Sequence, residues 1–540
     1  MKKIFILTSF LILTSIDAQV SKPKLVIGII VDQMRDEYLY RFYNDFGPNG
    51  FKRMMTQGFT YHNMHFNYMP TFTAPGHASV YTGTTPAFHG IMGNEYYNKF
   101  LGKEMYCVDD ENVRALGIPK KEEDGKMSPK NLKSTTITDE LKLATNFKGK
   151  VIGMSIKDRG AILPAGHFAD WAFWLSDNGN FISSSFYGKE LPLWVDAFNV
   201  EKRYMTDINK GWNLLRSPEI YNESLPDRNP YEGKINGNLE PIFPYDLKTE
   251  YDKNGAKIIK VTPFGNSLLA NFAKESIYHE KLGQDDITDF LAVSFSSTDY
   301  VGHIMGPRSM ELQDTYLRLD ETLADFLNYL DQKVGKNEYV VFLTADHACA
   351  ENAQFLHDHK YDVHYLNYKD LEKDFIKFSE DTFKKNYVVE YSNQNLFLDK
   401  NTIVKDGLDL EKVSIQFKNY IETKDYAKRA YLEKEILNPN TTDKYLLDIS
   451  RGYDPKINGQ IVILHQPAFM EYYGTGTTHG TPYGYDTHVP ALFYGKNIPK
   501  GESFNVEYIT EIAPTLSQIL RIPFPNSTEA KTLTEIVKKK

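Results

Sequence analysis

Apolar runs that end in polar residues recur along the chain and predict the strands of one sheet. Residues 24–31, 149–156, 289–298 and 339–344 are dominated by β-branched and aromatic residues, and a shorter run covers 491–494. A run that is apolar at nearly every position is typical of a strand buried on both faces, as in a parallel sheet with helices on each side. The pattern therefore predicts an α/β fold with a mostly parallel central sheet.

Helical patterns separate these runs. Residues 36–60 have a polar, helical texture, and a helix is predicted over 73–82. Leucines from Leu312 to Leu330 recur on one face of an amphipathic helix, which Gly335 is expected to close. A last helix is predicted near 509–520.

Two long segments interrupt this alternation and predict insertions. The segment from about 160 to 285 contains all four tryptophans, whose side chains we expect in a core rather than on a binding platform. The segment from about 350 to 455 is charged and mostly helical in texture. We predict that residues 19–540 form one domain carrying both insertions.

Charged residues follow the predicted strands directly. In open α/β sheets, functional groups collect beyond the carboxyl ends of the strands, so an acid there is a candidate ligand. One turn of helix separates Asp299 from His303, which allows both to reach the same point. Neighbouring Asp346 and His347 can serve one site only where their strand has already turned. The candidates are Asp32, Asp299, His303, Asp346 and His347.

Two cations follow the second predicted strand. Alternation in an extended segment places Lys157 and Arg159 on one face, where two like charges are unfavourable unless an anion lies between them. The alternative is a solvated pair that shares Asp158.

A threonine stands before another predicted helix. Thr73 is followed two residues later by Pro75, and proline suits a first helical turn. The helix N-terminus stabilises an anion, or an alkoxide made from a hydroxyl. The alternative is an ordinary threonine N-cap. A glycine-punctuated loop after this helix carries Asn94.

Histidines in the second half of the chain offer further ligands. His479 lies in a glycine-rich loop, and His488 is the second choice for the same role. We interpret His357, His359 and His364 as exposed polar surface rather than a metal cluster. Three aspartates and three histidines suit two divalent metals, and mixed carboxylate and imidazole ligands favour zinc over magnesium or calcium.

Composition and the N-terminus place the protein outside the cytoplasm. A formal charge of −9 argues against nucleic acid as a partner. Residues 1–18 combine a positive start with a short apolar run, which predicts an export signal and a periplasmic or secreted protein. The alternative, a membrane anchor, falls short of the ~20 apolar residues of a span, so we expect no stable membrane insertion. Cys107 and Cys349 could pair after export or stay free.

The motifs together resemble the alkaline phosphatase superfamily, and within it the periplasmic phosphate-irrepressible alkaline phosphatases. They occur in family order across nearly the whole mature chain, as Val31-Asp32-Gln33-Met34, Thr73-Ala74-Pro75-Gly76-His77, Gly93-Asn94, Lys157-Asp158-Arg159, Thr298 to His303, Ala345-Asp346-His347 and Gly476 to His479. The resemblance implies a three-layer α/β/α core. It also implies two zinc ions, one held by Asp32, Asp346, His347 and the Thr73 oxygen and the other by Asp299, His303 and His479.

The same resemblance implies a reaction. Thr73 would attack a phosphate monoester and form a phosphothreonine, while Asn94, Lys157 and Arg159 bind the non-bridging oxygens. Two cations favour small monoesters over diesters, and a sulfatase is disfavoured because threonine cannot become formylglycine. The alternatives are a nucleotide pyrophosphatase/phosphodiesterase on the same scaffold and an exported zinc- or glycan-binding protein without turnover. We expect a monomer.

Overall fold

The computed structural model describes residues 21–118, 123–236, 239–440, 442–472 and 474–537. The predicted export signal, residues 1–18, lies outside the described residues. None of the helices in the described part of the chain is both long enough and apolar enough to cross a membrane.

Nineteen strands are present in the described residues, most of them in one central sheet. They are β1 (Leu25–Val31), β2 (Phe59–His65), β3 (Glu95–Asn98), β4 (Lys103–Tyr106), β5 (Ala115–Leu116), β6 (Val151–Ser155), β7 (Trp171–Leu175), β8 (Phe181–Ser184), β9 (Asp289–Phe295), β10 (Tyr339–Thr344), β11 (Tyr365–Leu366), β12 (Val388–Ser392), β13 (Asn395–Leu398), β14 (Ala427–Leu432), β15 (Ile461–His465), β16 (Met470–Glu471), β17 (His488–Gly495), β18 (Gly501–Ser503) and β19 (Glu507–Tyr508).

Helices connect and cover these strands. They are α1 (Tyr38–Arg41), α2 (Phe51–Gln57), α3 (Thr73–Thr82), α4 (Pro86–His89), α5 (Ile137–Ala144), α6 (Asp158–Ala165), α7 (Leu193–Glu201), α8 (Met205–Lys210), α9 (Leu247–Asn254), α10 (Phe264–Glu280), α11 (Ser297–Met305), α12 (Met310–Leu330), α13 (Ala353–Asp358), α14 (Tyr368–Phe383), α15 (Lys400–Lys405), α16 (Leu410–Ile421), α17 (Glu433–Leu437), α18 (Lys444–Arg451), α19 (Gly484–Thr487), α20 (Ile512–Leu520) and α21 (Thr534–Val537).

The central sheet has the order β18-β2-β17-β10-β1-β9-β6-β7-β8-β5, with β19 also paired to β2. Its middle, β10-β1-β9-β6-β7, is parallel, and the flanking β17 and β8 run antiparallel to it. The α/β fold with a mostly parallel sheet is therefore confirmed. Because the parallel strands share one direction, the residues that follow β1, β6, β9 and β10 emerge at the same edge.

Burial explains the composition of the middle strands. All seven residues of β1 are buried, as the continuous apolar run predicted. Gly28 has no side chain because the Tyr81 hydroxyl and the Phe342 ring already lie 2.2 and 2.7 Å from where its Cβ would be. Helices pack around the sheet in two groups, one in which α3 contacts α5, α6 and α20, and a second formed by α10, α11 and α12.

The first predicted insertion is wrong at its N-terminal boundary. Trp171 and Trp174 belong to β7, and both β7 and β8 are strands of the central sheet. The segment departs from the sheet only after Ser184, where β8 ends. The tryptophans do form core, since Trp174 and Trp212 are buried and Trp171 and Trp194 pack against buried residues.

The second predicted insertion contains the helices α13 to α18, in agreement with its helical texture, but it also contains strands that the sequence did not indicate. It contributes β12, β13 and β14 to a separate antiparallel sheet of order β12-β13-β15-β14, which we call the outer sheet. Its strands have four to six residues, too short for alternation to stand out among charged helices. The turn between β12 and β13 places Asn393 and Gln394 at positive φ, which is typical of a tight hairpin.

Candidate active site

Three buried aspartates converge at the carboxyl edge of the sheet. The backbone N–H of Asp32 still donates to the carbonyl of Phe295 on β9, at 3.0 Å, directly after β1. Asp299 lies in the first turn of α11, and Asp346 follows the end of β10 by two residues, where the chain has left the strand. All three are at most 2% exposed, so their carboxylates are not solvated by bulk water.

The six predicted metal ligands lie together. Ligand atoms of Asp32, Asp346 and His347 are within 4.8 Å of one another, and the same holds for Asp299, His347 and His479. His303 completes the group, since its Nε2 lies 3.1 Å from Asp299 Oδ1. His347 therefore stands between the two predicted metal positions, with its ring stacked on that of His479 at 3.4 Å between centroids.

All three histidines are oriented in the same way. Nδ1 lies 3.0 Å from the Ala348 carbonyl in His347, 2.8 Å from the Thr477 carbonyl in His303 and 2.7 Å from the Thr71 carbonyl in His479. A carbonyl only accepts, so each Nδ1 donates its proton and each neutral ring is left with a lone pair on Nε2.

Each of these Nε2 atoms faces carboxylate oxygens. His347 Nε2 lies 3.5 Å from both Asp32 Oδ1 and Asp346 Oδ2, and the Nε2 atoms of His303 and His479 both face Asp299 Oδ1. Lone pairs and carboxylates repel one another unless a cation lies among them. The residues therefore fit divalent metals, with the backbone carbonyls fixing the orientation of the rings.

Thr73 lies beside this cluster and does not cap its helix. It is the first residue of α3, and Phe72 occupies the N-cap position in extended conformation without a side-chain cap bond. The alternative interpretation of Thr73 as an N-cap is therefore wrong. Its Oγ1 lies 3.5 Å from His347 Nε2, and Thr73 is 1% exposed. The hydroxyl is thus placed at the helix N-terminus and next to the predicted ligands.

Asn94 is held against the same helix. Its Oδ1 accepts a hydrogen bond from the backbone N–H of Ala74 at 2.8 Å. This bond directs the side-chain oxygen towards the start of α3, so the amide NH₂ is the end that can bind an anion.

Lys157 and Arg159 are positioned by the start of a helix and not, as was predicted, by the end of a strand. The strand ends at Ser155, Lys157 is the N-cap of α6, and Arg159 is in the first turn of that helix. The prediction from strand alternation is wrong because the chain has already turned. Lys157 Nζ lies 2.6 Å from Asp299 Oδ2 and 2.8 Å from Asp32 Oδ2, whereas Arg159 Nη1 donates to the Tyr106 hydroxyl at 2.9 Å.

The buried charges shift one another's pKa values. Burial, reinforced by Asp299 and Asp346, raises the pKa of Asp32 well above its usual value. Burial, followed by the neighbouring His347, lowers the pKa of His479, which keeps its ring neutral. The cluster is rich in negative charge and electron pairs, as a cation site requires.

Sequence reasoning missed two residues that hold the aspartates. Gln33 donates from its backbone N–H to Asp346 Oδ1 at 3.2 Å and from Nε2 to Asp299 Oδ1 at 2.8 Å. His77 Nδ1 lies 2.8 Å from the Thr73 carbonyl and 3.3 Å from Asp346 Oδ2. Gln33 adopts φ 65°, which no sequence pattern revealed. The i, i+4 spacing of Thr73 and His77 was the one available signal.

The remaining histidine and cysteine candidates lie elsewhere. His488 Nε2 lies 2.9 Å from the His62 carbonyl, and its ring stacks on His65. His357, His359 and His364 are exposed, in agreement with the surface interpretation. Cys107 and Cys349 are both buried and free, so the possible disulfide is not present.

Known proteins match both the sequence and the fold. Residues 26–486 match the family described as type I phosphodiesterase / nucleotide pyrophosphatase. The alkaline phosphatase PafA of Elizabethkingia meningoseptica is 42% identical over 96% of this chain and 95% of its own. The alkaline phosphatase PhoV of Synechococcus elongatus is 42% identical over 96% and 94%, and a Myroides odoratus protein named calcium-transporting ATPase is 42% identical over 98% and 97%.

The crystal structure of PafA superimposes with a TM-score of 0.93 at 42% identity, covering 96% of this chain and 100% of PafA. A solved PafA variant carries replacements of a threonine, an asparagine, a lysine and an arginine, the residue types of Thr73, Asn94, Lys157 and Arg159 in the same order. The family match spans most of the chain, and the relatives match nearly all of it. The chain therefore belongs to the type I phosphodiesterase / nucleotide pyrophosphatase family of the alkaline phosphatase superfamily.

Proposed function

We propose that the protein is an exported, monomeric alkaline phosphatase that hydrolyses small phosphate monoesters through a phosphothreonine at a two-zinc site. Two relatives that match nearly the whole chain at 42% identity are named alkaline phosphatases, which supports this class of reaction. The observation that carries the proposal is the shared orientation of His303, His347 and His479, whose Nε2 atoms all face carboxylates.

Zinc is the metal that this ligand chemistry favours. Asp32, Asp346 and His347 would hold one ion, with the Thr73 oxygen beside it, and Asp299, His303 and His479 would hold the second. Three imidazole nitrogens among six ligands are typical of zinc, whereas magnesium and calcium take oxygen ligands almost exclusively. When bound, the two cations supply positive charge that lowers the pKa of a hydroxyl and stabilises a departing oxygen.

Thr73 is the nucleophile in the proposed reaction. Its Oγ1 forms a bond to phosphorus while the ester P–O bond breaks, and the departing oxygen takes up a proton. Water then attacks phosphorus from the vacated side, the Oγ1–P bond breaks and inorganic phosphate leaves. Burial at the start of α3 excludes competing solvent, and the helix N-terminus stabilises the negative oxygen.

Three side chains are assigned to the phosphoryl oxygens. The amide of Asn94 is fixed by its bond to Ala74, and Arg159 is fixed by its bond to the Tyr106 hydroxyl. Lys157 neutralises part of the charge of Asp32 and Asp299 and lies where it can also meet an anion. A monoester carries close to two negative charges and a diester only one, so these cations favour monoesters.

One assay separates the proposal from its alternatives. With zinc at alkaline pH, the protein should release p-nitrophenol from p-nitrophenyl phosphate, and Thr73→Ala should abolish most of the release. Thr82→Ala is the matched control, because Thr82 is buried at the other end of the same helix and its Oγ1 bonds only to the Ala78 carbonyl among the hydrogen bonds of the described residues.

The other outcomes identify the alternatives. Faster release from bis-p-nitrophenyl phosphate would indicate a phosphodiesterase, and no release from either ester would indicate a binding protein. Acid quenching during turnover should leave a phosphate on Thr73 that mass spectrometry detects, and a labelled residue elsewhere would contradict the proposed nucleophile.

A further inference from the structure

Two neighbouring side chains hold the guanidinium of Arg159. Its Nη1 donates to the Tyr106 hydroxyl at 2.9 Å and lies 3.9 Å from Asp158 Oδ1. The side chains of Arg159 and Asp158 are only 18% and 16% exposed, so solvent competes weakly for these contacts. A guanidinium is planar, and a bond to one of its nitrogens therefore fixes the direction of its remaining donors.

The Tyr106 hydroxyl makes a hydrogen bond in each direction. It donates its proton to Asp158 Oδ1 at 2.5 Å, because a carboxylate only accepts, and its lone pairs are left to accept from Arg159. The same Oδ1 accepts from the backbone N–H of Arg159 at 2.6 Å, which fixes Asp158 at the start of α6. Burial raises the pKa of Tyr106 well above its usual value, so the hydroxyl keeps its proton at alkaline pH.

Tyr106 also belongs to the element that follows Asn94. It is the last residue of β4 and pairs with Glu95, the first residue of β3, which comes directly after Asn94. The backbone N–H of Cys107 donates to the Asn94 carbonyl at 2.9 Å and closes the base of this hairpin. The β3–β4 hairpin is a two-stranded sheet separate from the central sheet. One hairpin therefore positions both Asn94 and Arg159.

The orientation of Arg159 matters more for a monoester than for a diester. A monoester presents close to two negative charges on its terminal oxygens, whereas in a diester an organic group occupies one of these oxygens. A guanidinium binds such oxygens through a rigid fork, so the contact depends on its direction. If Arg159 could rotate freely, it would lose rotamer freedom on binding, which would weaken the contact to the monoester.

We propose that Tyr106 is a positioning residue whose hydroxyl sets the preference for monoesters by holding Arg159 in the orientation that meets a phosphoryl oxygen. The inference rests on the proposed role of Arg159 and adds the group that makes this role selective. Tyr106→Phe keeps the ring and removes both hydrogen bonds of the hydroxyl. Because water reaches this half-buried position, the variant is expected to fold.

A double-mutant cycle on the full chain with zinc tests the proposal. The quantity measured is kcat/KM for p-nitrophenyl phosphate and for bis-p-nitrophenyl phosphate, in the wild type, Tyr106→Phe, Arg159→Ala and the double variant. Tyr106→Phe should lower the monoester value about tenfold, the effect of one hydrogen bond to a charged group, and leave the diester value within about twofold. In the Arg159→Ala background the same change should have no further effect, because Tyr106 acts through Arg159.

Tyr221→Phe is the matched control. The Tyr221 hydroxyl also donates to an aspartate, Asp314 Oδ1 at 2.5 Å, and Asp314 Oδ2 accepts from an arginine, Arg318 Nε at 2.6 Å. Asp314 and Arg318 lie on α12, away from the predicted ligands. This variant should therefore keep the wild-type ratio of monoester to diester turnover.

The contrary outcomes identify which step fails. No loss with Tyr106→Phe, equal losses on both esters, or a full further loss in the Arg159→Ala background would overturn the positioning role and leave the phosphatase standing. If Arg159→Ala itself leaves monoester turnover unchanged, the role of Arg159 and this inference fall together. Absence of turnover by the wild type would overturn the proposed function as a whole.

Discussion

Replacing Gln33 by asparagine is expected to weaken both zinc binding and turnover by roughly 10- to 100-fold. Gln33 Nε2 donates to Asp299 Oδ1 at 2.8 Å, and its backbone N–H donates to Asp346. Asparagine tolerates the positive φ of this position and keeps the backbone bond, but its shorter side chain cannot reach Asp299. The change therefore removes one hydrogen bond between the two predicted metal positions.

The magnitude follows from the kind of bond that is lost. A hydrogen bond to a charged acceptor contributes about 1.5–3 kcal/mol, and about 1.4 kcal/mol corresponds to a factor of ten. Gln33 is 3% exposed, so solvent does not readily replace the amide. The side chain also packs in the space left by Gly302, whose Cβ would lie 2.0 Å from Gln33 Oε1. Repacking around the shortened side chain is therefore restricted.

Gln313→Asn provides the matched control. Gln313 is also fully buried and its Nε2 donates to a carboxylate, Glu223 Oε2 at 3.1 Å, but it lies on α12 away from the predicted ligands. Zinc affinity is measured by competition with a chelator, and kcat/KM for p-nitrophenyl phosphate is measured at saturating zinc. If Gln33→Asn reduces neither quantity more than Gln313→Asn does, the positioning argument is refuted.

Three further predictions concern charge, pH and ligand identity. Arg159→Ala should lower kcat/KM for p-nitrophenyl phosphate about 100-fold, because two charge-assisted hydrogen bonds from Arg159 to the phosphoryl oxygens contribute about 3 kcal/mol. The loss for bis-p-nitrophenyl phosphate should be much smaller, and equal losses would contradict the monoester assignment. Burial, then Glu37, raises the pKa of Asp36 to about 7. The folded state thus keeps this proton at a higher pH than the unfolded state, and stability is lost as pH rises from about 4 to 7. Urea unfolding should show Asp36→Asn more stable than wild type by up to about 4 kcal/mol at pH 8.5, with the difference vanishing towards pH 4; a constant difference would refute this. His488→Ala should retain two zinc ions per chain by metal analysis whereas His479→Ala loses one, and the reverse result would exchange their roles.

The strand ends could be predicted from the sequence because their physical basis is local. A run such as Leu25–Val31 must be buried on both faces, so the charge that follows it marks the sheet edge. The same reasoning located Asp299 and Asp346, whereas the helix of Thr73 was predicted from Pro75, which suits a first helical turn. It could not give the distances among them, because these residues come from separate parts of the chain and meet only through the order of the strands.

The wrong predictions concern segments whose sequence pattern is compatible with two different structures. Lys157 and Arg159 alternate as in a strand, but α6 begins at Asp158, so the chain already has the helical period at these positions. Trp171 and Trp174 were assigned to an insertion because aromatic content does not distinguish a sheet strand from an added layer. Gln33 was missed because its role depends on a single left-handed backbone position and on contacts with Asp299 and Asp346, far away in sequence.

The arrangement of two cations beside Thr73 can be measured directly by anomalous scattering. Crystals grown with zinc and phosphate would be measured above and below the zinc absorption edge. We predict two anomalous peaks, one among Asp32, Asp346 and His347 and the other among Asp299, His303 and His479, with phosphate next to Thr73 Oγ1. A single peak, or peaks away from these six residues, would contradict the two-zinc site and the reaction built on it.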